Sequence, residues 1–480
     1  MNDLIKKSMP VILVAMLGGC SAMPNHEYQA ATDSSSRPDS VKLKPTNGLE
    51  LDDWQYYFPD PRLQMLIETA LENNRDLDKA TARIARARAQ YGNQDAGRLP
   101  ESNADVSRND SRPATSAPDS NESSLQQNNP EAGLLSYESD FWGRVESLGT
   151  SARSNYLATE SAQRAFRLSL VSDVAKTYLS LLEMRELNRL ADEQVKACAE
   201  LQDLIMRRHE AGISSDKDLL QAQAAFQAAV ANSANLKQSQ IGGESFLSVL
   251  TGQSTMLTGD LPEGHSLADQ GINSGLFGGL PADALLRRPD VLAAEQKLQA
   301  VGIDIGAARA VFLPRVTLTG NTGNASSSLT SLFNPGNGAW NFQPAIGIPL
   351  FDAGRNPDNP APPNPRQMMA IAQYEKAIQQ AFREVADLLL ARKKLGGQLA
   401  AQQANTESQK QLLDMVKLRY KVGVVSHVEV LEAQLQVLDA EQSEIQARLA
   451  WLSTATQLYK ALGGDGNDSA ENATQKIADY

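Results

Sequence analysis

Two stretches of this chain repeat each other at a constant distance, which restricts the folds available to it. The segment 208–223 returns 211 residues later as 419–434, and both copies carry an arginine, a glycine and a serine at matching places. Upstream, the pairs Gly143-Arg144 and Gly354-Arg355 are separated by the same distance. An ordered series of matches at one offset indicates repetition of a whole structural unit. The sequence therefore predicts a tandem internal duplication.

Each repeat is predicted to contain the same elements in the same order: a helix, two strands and a long helical hairpin. The first helix is expected near 62–97 in one repeat and near 285–311 in the other. The long hairpin of the first repeat has apolar residues at spacings of three and four, as helix packing requires. Its first helix, from Ser154 to Glu210, would be about 85 Å long at about 1.5 Å per residue. Such a length is typical of coiled coils.

The strand regions show a different periodicity. Apolar residues alternate with polar ones over about ten positions of the second repeat, and the apolar set is Trp340, Phe342, Ile346, Ile348 and Leu350. Shorter versions of the pattern involve Leu135, Tyr137 and Phe141, and then Val316 and Leu318. Alternation of this kind is typical of a membrane β-barrel strand with one face toward lipid, although the edge of a soluble sheet would also produce it.

The number of strands bears on the oligomeric state. About four strands per chain cannot close a barrel, since about eight are needed. If the strands enter a bilayer, several chains must share one barrel, because open strand edges do not occur in hydrocarbon. Two copies would provide eight strands and three would provide twelve, and twelve more readily leave an open lumen.

The composition of the 480-residue chain suits a helical protein without catalytic chemistry. Aromatic residues make up only 5%, and abundant alanine, leucine and glutamine favour long helices. The net charge of −12 excludes the basic surface that nucleic-acid binding requires. Four histidines and two cysteines provide little material for a catalytic or metal centre. The chain is therefore predicted not to be an enzyme, to need no cofactor and to bind no nucleic acid.

The N-terminus predicts export and a lipid anchor. Residues 1–19 combine two lysines, a short apolar run and small residues, as signal peptides do. The segment Leu17-Gly18-Gly19-Cys20 resembles a bacterial lipobox, so Cys20 is expected to carry lipid and to anchor the chain to the outer membrane. An ordinary signal peptide with a nearby cysteine is the alternative. The predicted organisation is a signal peptide 1–19, a lipidated segment 20–61, a first repeat 62–252, a linker 253–284, a second repeat 285–464 and a polar tail 465–480.

Several short segments resemble one family of bacterial envelope proteins. They are Gly279-Leu280-Pro281-Ala282-Asp283, Leu286-Arg287-Arg288-Pro289-Asp290-Val291, Phe141-Trp142-Gly143-Arg144, Pro349-Leu350-Phe351-Asp352-Ala353-Gly354-Arg355 and Ala372-Gln373-Tyr374-Glu375-Lys376-Ala377-Ile378. With these segments, the chain from Cys20 to about Gly464 resembles the outer-membrane factor family, the TolC-like outer-membrane efflux lipoproteins of the OprM/NodT type.

The resemblance implies a fold, a function and partners. The fold would be that of an α+β membrane protein, a homotrimer whose 12-stranded β-barrel in the outer membrane continues as a periplasmic α-helical coiled-coil barrel. Such proteins are passive exit ducts for small molecules such as drugs. Their partners would be outer-membrane lipid, a periplasmic adaptor (membrane fusion) protein and an inner-membrane pump of the RND type.

The glycine turns are the candidate functional sites. Gly212 and Gly423 lie where a helical hairpin needs a residue free to adopt a left-handed conformation. By resemblance, the adaptor would dock at tips formed by Arg208, Gly212, Ser215, Arg419, Gly423 and Ser426; the alternative is plain helix capping. Residues similar to those that close the family's tunnel are Asp216, Asp218, Arg419 and Tyr420. Ordinary charge on a solvated tip is the alternative for this gate.

Two segments depart from the family pattern and keep other functions open. Five prolines between 356 and 365 predict that the second long helix begins near Arg366. The segment 101–129 is unusually polar for barrel strands. These departures favour a periplasmic structural or adaptor lipoprotein without an open channel. A duct for protein secretion would share the architecture, although the lipobox and Arg288-Pro289-Asp290 favour small-molecule efflux.

Overall fold

The structure is a computed structural model that describes residues 54–111, 125–253, 262–272, 282–310, 315–347 and 365–463. Within these ranges the helices are α1 (Trp54–Tyr57), α2 (Pro61–Asn73), α3 (Arg75–Ala96), α4 (Arg144–Glu210), α5 (Asp216–Thr251), α6 (Pro289–Ala310), α7 (Pro365–Lys421) and α8 (His427–Ala461). The strands are β1 (Ser102–Ser111), β2 (Leu125–Ser139), β3 (Arg315–Asn324) and β4 (Gly338–Gly347). Short 3₁₀ helices occupy Ala282–Arg287 and Leu329–Ser331.

Two long helical hairpins dominate the described part of the chain. The first joins α4, of 67 residues, to α5, and the second joins α7, of 57 residues, to α8. Helix α4 packs against α5, α6 and α8, while α7 packs against α8 and α6. At about 1.5 Å per residue, α4 is about 100 Å long. It begins at Arg144 and not near Ser154, because Gly143, at φ 67°, turns the chain directly from β2 into the helix.

The predicted first helix of each repeat is shorter than expected. In the first repeat Asn74 divides it into α2 and α3, because the Asn74 backbone is extended and its side chain accepts from the N–H groups of Asp76 and Leu77, both at 3.0 Å. In the second repeat α6 begins at Pro289, since proline disfavours a helical conformation at the residue before it. A 3₁₀ turn precedes it.

The start of α7 agrees with the prediction from the prolines. The helix begins at Pro365, one residue before the predicted Arg366, and proline is well tolerated at a first helical position. The remaining residues of the proline-rich window, 356–364, lie outside the described residues.

The described strands form one antiparallel sheet in the order β1-β2-β3-β4. Polar β1 pairs with β2 along its whole length, from Ser102 opposite Leu134 to Ser111 opposite Leu125. Backbone hydrogen bonds do not depend on side-chain polarity, so a polar sequence can complete this ladder. The β2–β3 ladder shifts register between Leu134 and Tyr137. Strands β1 and β4 are the edges of the sheet.

The largest core lies where α1 and α2 pack on the middle of α4 and the end of α8. Tyr57 and Phe58 are buried against Tyr459, with ring centroids 5.0 and 5.5 Å away, and Tyr57 Oη donates to the carbonyl of Ala455 at 2.8 Å. These contacts join the two ends of the described chain. No helix in the described ranges is long and apolar enough to cross a membrane.

Asp60 connects three segments of this core. Its fully buried carboxylate accepts from two N–H groups in the first turn of α2, at 2.8 and 3.3 Å. It also accepts from Tyr178 Oη at 2.9 Å, from the backbone N–H of His265 at 3.0 Å and from Gln270 Nε2 at 2.9 Å. One carboxylate therefore holds the segment 262–272 against α2 and α4.

Candidate functional site at the hairpin tips

Both helical hairpins turn through the same backbone motif. At the first tip Gly212 has φ 71°, its N–H bonds to the carbonyl of His209 at 2.8 Å, and the N–H of Ile213 bonds to the carbonyl of Arg208 at 2.8 Å. This pair of bonds is the Schellman motif that ends many helices. The left-handed glycine predicted from the sequence is therefore confirmed.

The second tip repeats this arrangement. Gly423 has φ 76°, its N–H bonds to the carbonyl of Tyr420 at 2.9 Å, and the N–H of Val424 bonds to the carbonyl of Arg419 at 2.9 Å. A Cβ atom added at either glycine would meet nothing within 4 Å. Each glycine is thus required for the sign of φ and not for lack of space.

Capping boxes begin the returning helices at both tips. Ser215 Oγ accepts from the N–H of Asp218 at 3.2 Å, and Asp218 Oδ2 accepts from the N–H of Ser215 at 3.1 Å. Ser426 and Glu429 exchange the equivalent bonds at 3.4 and 3.3 Å. The hydrogen bonds from Ser215 lower the pKa of the Asp218 carboxyl. A serine followed three residues later by an acid is the signal that could have revealed this capping role.

Equivalent positions also touch across each tip. His209 Nε2 lies 2.7 Å from Asp216 Oδ1 in the first tip, and the rings of Tyr420 and His427 stack at 5.2 Å between centroids in the second. Of the proposed gate residues, Asp216 therefore contacts His209 and Tyr420 contacts His427 within their own tips. Within the described part of one chain, neither Arg419 nor Tyr420 makes an ion pair or hydrogen bond to Asp216 or Asp218. The gate remains a prediction.

Apolar side chains surround both turns and face solvent. Ile213 and Val424 follow the two glycines at equivalent positions and are both exposed. Further exposed apolar side chains near the tips belong to Leu220, Met415, Leu418 and Val422. Clustered exposed apolar groups mark surfaces that bind another molecule. Arg208 is partly exposed and Arg419 is exposed, so each tip combines apolar and cationic groups.

The sheet also exposes apolar side chains on one of its faces. The register places Val106, Trp340, Phe342 and Ile346 on one face, and all four side chains are exposed; Arg108 and Asn128 lie on the same face beyond Val106. The opposite face carries polar residues, among them Asn103, Asp105, Glu131, Asn321, Asn341 and Gln343. The alternation predicted for Trp340, Phe342 and Ile346 is confirmed, while Ile348 and Leu350 lie outside the described residues. Phe141 belongs to the turn after β2 and not to the strand.

The described residues contain no group of three or more His, Cys, Asp or Glu side chains placed to hold a metal ion. Cys198 is buried in α4, where burial raises the pKa of its thiol. Cys20, the predicted lipidation site, lies outside the described residues.

Comparison with known proteins decides the family. Residues 66–253 and 280–464 match the profile of the family described as outer membrane efflux protein. The chain belongs to that family. A location in the outer membrane with a large periplasmic part follows from this membership.

Efflux proteins from several bacteria are similar to this chain over nearly its whole length. The solvent efflux pump outer membrane protein SrpC of Pseudomonas putida is 36% identical over 463 residues, which cover 95% of this chain and 98% of SrpC. The cation efflux system protein CusC of Escherichia coli O157:H7 is 34% identical over 95% of this chain and 98% of CusC. The open-state outer membrane channel MtrE of Neisseria gonorrhoeae has a TM-score of 0.74 at 32% identity, covering 89% of this chain and 95% of MtrE.

Proposed function

We propose that this protein is the passive exit duct of a tripartite efflux system and carries small molecules across the outer membrane as a homotrimer. The observation that carries the proposal is the four-stranded sheet, which exposes Val106, Trp340, Phe342 and Ile346 on one face and lies next in sequence to two long helical hairpins. The duct is not an enzyme and contains no cofactor, because translocation through it needs only a continuous opening.

The edges of the sheet support the trimer. Each unpaired backbone group would cost several kcal/mol in hydrocarbon, so β1 and β4 need partners from other chains. Three copies would provide twelve strands, enough for a barrel with an open lumen. The polar face would then line the lumen, and the face with Val106, Trp340, Phe342 and Ile346 would contact lipid.

The two tips support docking of a periplasmic adaptor. They share the Schellman motif, the capping box and exposed apolar side chains, as a tandem duplication would produce. Arg208, Gly212 and Ser215, with Arg419, Gly423 and Ser426, would form the docking surface. The adaptor would connect this duct to an inner-membrane pump of the RND type. Contacts of Arg419 and Tyr420 with Asp216 and Asp218 of a neighbouring chain would close the tunnel.

Small molecules are the proposed cargo because the names of relatives refer to them. SrpC is named for solvents and CusC for cations. Two further relatives, the outer membrane proteins TtgI and ArpC of Pseudomonas putida efflux pumps, are named for toluene and for antibiotics. Protein secretion is the less favoured alternative. A lipoprotein without a channel was suggested by the polar segment 101–129, but β1 forms a complete ladder with β2.

The proposed domain organisation adds a lipid anchor. Cleavage after residue 19 would leave Cys20 as the first residue of the mature chain, and acyl chains contribute about 0.8 kcal/mol per buried methylene to membrane binding. Intact-mass measurement of protein extracted from membranes should show a processed, lipid-modified chain. A processed chain with an unmodified cysteine would rule the anchor out.

Single-channel recording tests the proposal as a whole. Purified protein in a planar bilayer should conduct in steps, and native mass spectrometry in detergent should show three chains per particle. A stable trimer that never conducts would favour the structural lipoprotein. A monomer that conducts would refute the shared barrel.

A further inference from the structure

The end of the sheet that lies away from the helices carries a positive charge next to exposed apolar residues. Strand β1 follows α3 and β2 leads into α4, so residues near Ser111 lie at this far end. Val106 is 85% exposed, and Arg108, two residues further toward the far end, is also exposed on the same face. Within the described strands, Arg108 is the only cationic residue that the register places on this face. Apolar surface therefore gives way to a positive charge within two residues of β1.

Three strands hold Arg108 at a fixed level of the sheet. Arg108 pairs with Asn128 of β2. Asn128 in turn exchanges two backbone hydrogen bonds, at 2.8 and 3.2 Å, with Ser326 just beyond the end of β3. Because neighbouring strands lie about 4.8 Å apart, the backbones of Arg108 and Ser326 are about 10 Å apart across the sheet. The two residues therefore lie in one hydrogen-bonded row at the far end.

The turn that joins β3 to β4 adds hydroxyl groups beside this row. Residues 326–331 include four serines and one threonine. The turn is held by its own polar groups, since Ser326 Oγ and Ser331 Oγ lie 2.7 Å apart and Asn337 Nδ2 donates to the carbonyl of Ser331 at 2.6 Å. Ser328 is exposed. A hydroxyl both donates and accepts hydrogen bonds, so this turn can bond to the hydroxyls of a sugar.

We infer that Arg108 and the serine-rich turn 326–331 bind the phosphorylated sugar headgroup of lipopolysaccharide, the glycolipid of the outer leaflet. This inference rests on the proposed function, in which the face with Val106 contacts lipid. At a strand tilt of about 40°, Arg108 lies about 5 Å beyond Val106 toward the cell exterior, where acyl chains give way to headgroups. A guanidinium binds phosphate through two parallel N–H groups. Lipopolysaccharide is favoured over phospholipid because it brings phosphate to Arg108 and sugar hydroxyls to the serines at the same time.

Native mass spectrometry of the oligomer in detergent tests the inference by lipid titration. The probes are lipid A with both phosphates, dephosphorylated lipid A and phosphatidylglycerol. Arg108→Gln should bind phosphorylated lipid A about tenfold more weakly than the parent, because it loses a charge-assisted, bidentate contact. Arg315→Gln is the matched control: it removes the same charge from an exposed arginine on the opposite face of the sheet and should bind like the parent. Phosphatidylglycerol should bind the parent more weakly than lipid A does, and equal affinity would overturn the assignment to a glycolipid.

Conductance in a planar bilayer separates failure of the inference from failure of the proposed function. Arg108 faces away from the proposed lumen, so Arg108→Gln should conduct like the parent. Normal conductance together with unchanged affinity for lipid A would refute the lipid site alone. A parent protein that neither conducts nor binds lipid A would refute both proposals. Should Arg108→Gln not assemble, the parent decides, because loss of the phosphates from lipid A must weaken binding about tenfold; equal affinity for the two forms would contradict the inference.

Discussion

Replacing Gly423 with valine should uncouple the duct from its adaptor while leaving it folded. The native residue has φ 76°, a conformation that costs an L-residue about 1–2 kcal/mol and a β-branched residue more. The new side chain meets no atom within 4 Å, so no clash adds to this cost. The turn would relieve the strain by giving up the two bonds to Arg419 and Tyr420, each contributing about 0.5–1.5 kcal/mol.

The disturbance should stay local. Leu438, the residue of the largest core nearest to the tip along α8, is 11 residues from His427 at the start of that helix, or about 17 Å. Neither the sheet nor the core should therefore change. A tip that loses its geometry at a cost of about 1–2 kcal/mol should bind the adaptor about 5–30-fold more weakly.

The assay is antibiotic and solvent susceptibility of cells that express the complete efflux system, with a native gel to measure the assembled duct. Gly423→Val should make the cells sensitive at a normal amount of oligomer. Gly423→Asn should retain export, because asparagine tolerates a left-handed conformation. Gly242→Val is the matched control: this glycine lies within α5, an added Cβ also meets nothing within 4 Å, and valine favours a helix more than glycine does. Full resistance with Gly423→Val at normal expression would refute the role of the tip in coupling.

Three further predictions concern the periplasmic core. Asp60→Asn replaces a carboxylate that accepts five hydrogen bonds with an amide. This substitution should lower the free energy of unfolding by about 3 kcal/mol. A melting temperature equal to that of the parent would contradict this. Arg288→Met removes the ion pairs of Arg288 with Asp290 and Glu384, at 2.8 and 2.9 Å. Because both acids are partly exposed, the expected loss of stability is about 1–3 kcal/mol, and the dissociation temperature of the oligomer should fall. An unchanged dissociation temperature would show that these ion pairs are dispensable. Burial raises the pKa of Glu183 to about 7, so the folded state holds the proton more tightly than the unfolded chain and stability falls as pH rises from about 4.3 to about 7. At pH 8 Glu183→Gln should therefore have a free energy of unfolding about 1 kcal/mol above that of the parent, after screening by water. Below about pH 4 the two proteins should melt at the same temperature, and equal melting at both pH values would refute this.

Much of the local structure follows from short-range rules that the sequence displays. Gly212 and Gly423 indicate their turns because few residues other than glycine adopt a left-handed conformation without strain. The prolines before Pro365 delimit α7 because proline lacks an N–H donor and excludes a helix interior. Alternation around Trp340 indicates a strand because successive side chains point to opposite faces. Each rule depends on a few adjacent residues, so sequence is sufficient to apply it.

Contacts between distant residues could be decided only by the tertiary structure. Asp60 meets Tyr178, His265 and Gln270, which are 118, 205 and 210 residues away, and no local pattern indicates this cluster. Asn74 breaks the first predicted helix partly because its side-chain amide reaches the carbonyl of Leu250 at 2.9 Å. The helix preference of a segment is the sum of small free-energy contributions from a few adjacent residues. A buried hydrogen bond between remote segments depends instead on how whole helices pack. Short-range patterns in the sequence determined the hairpin turns, the start of α7 and the alternation of β4. The packing of the helices determined where the first helix divides and which polar groups meet to hold distant segments together.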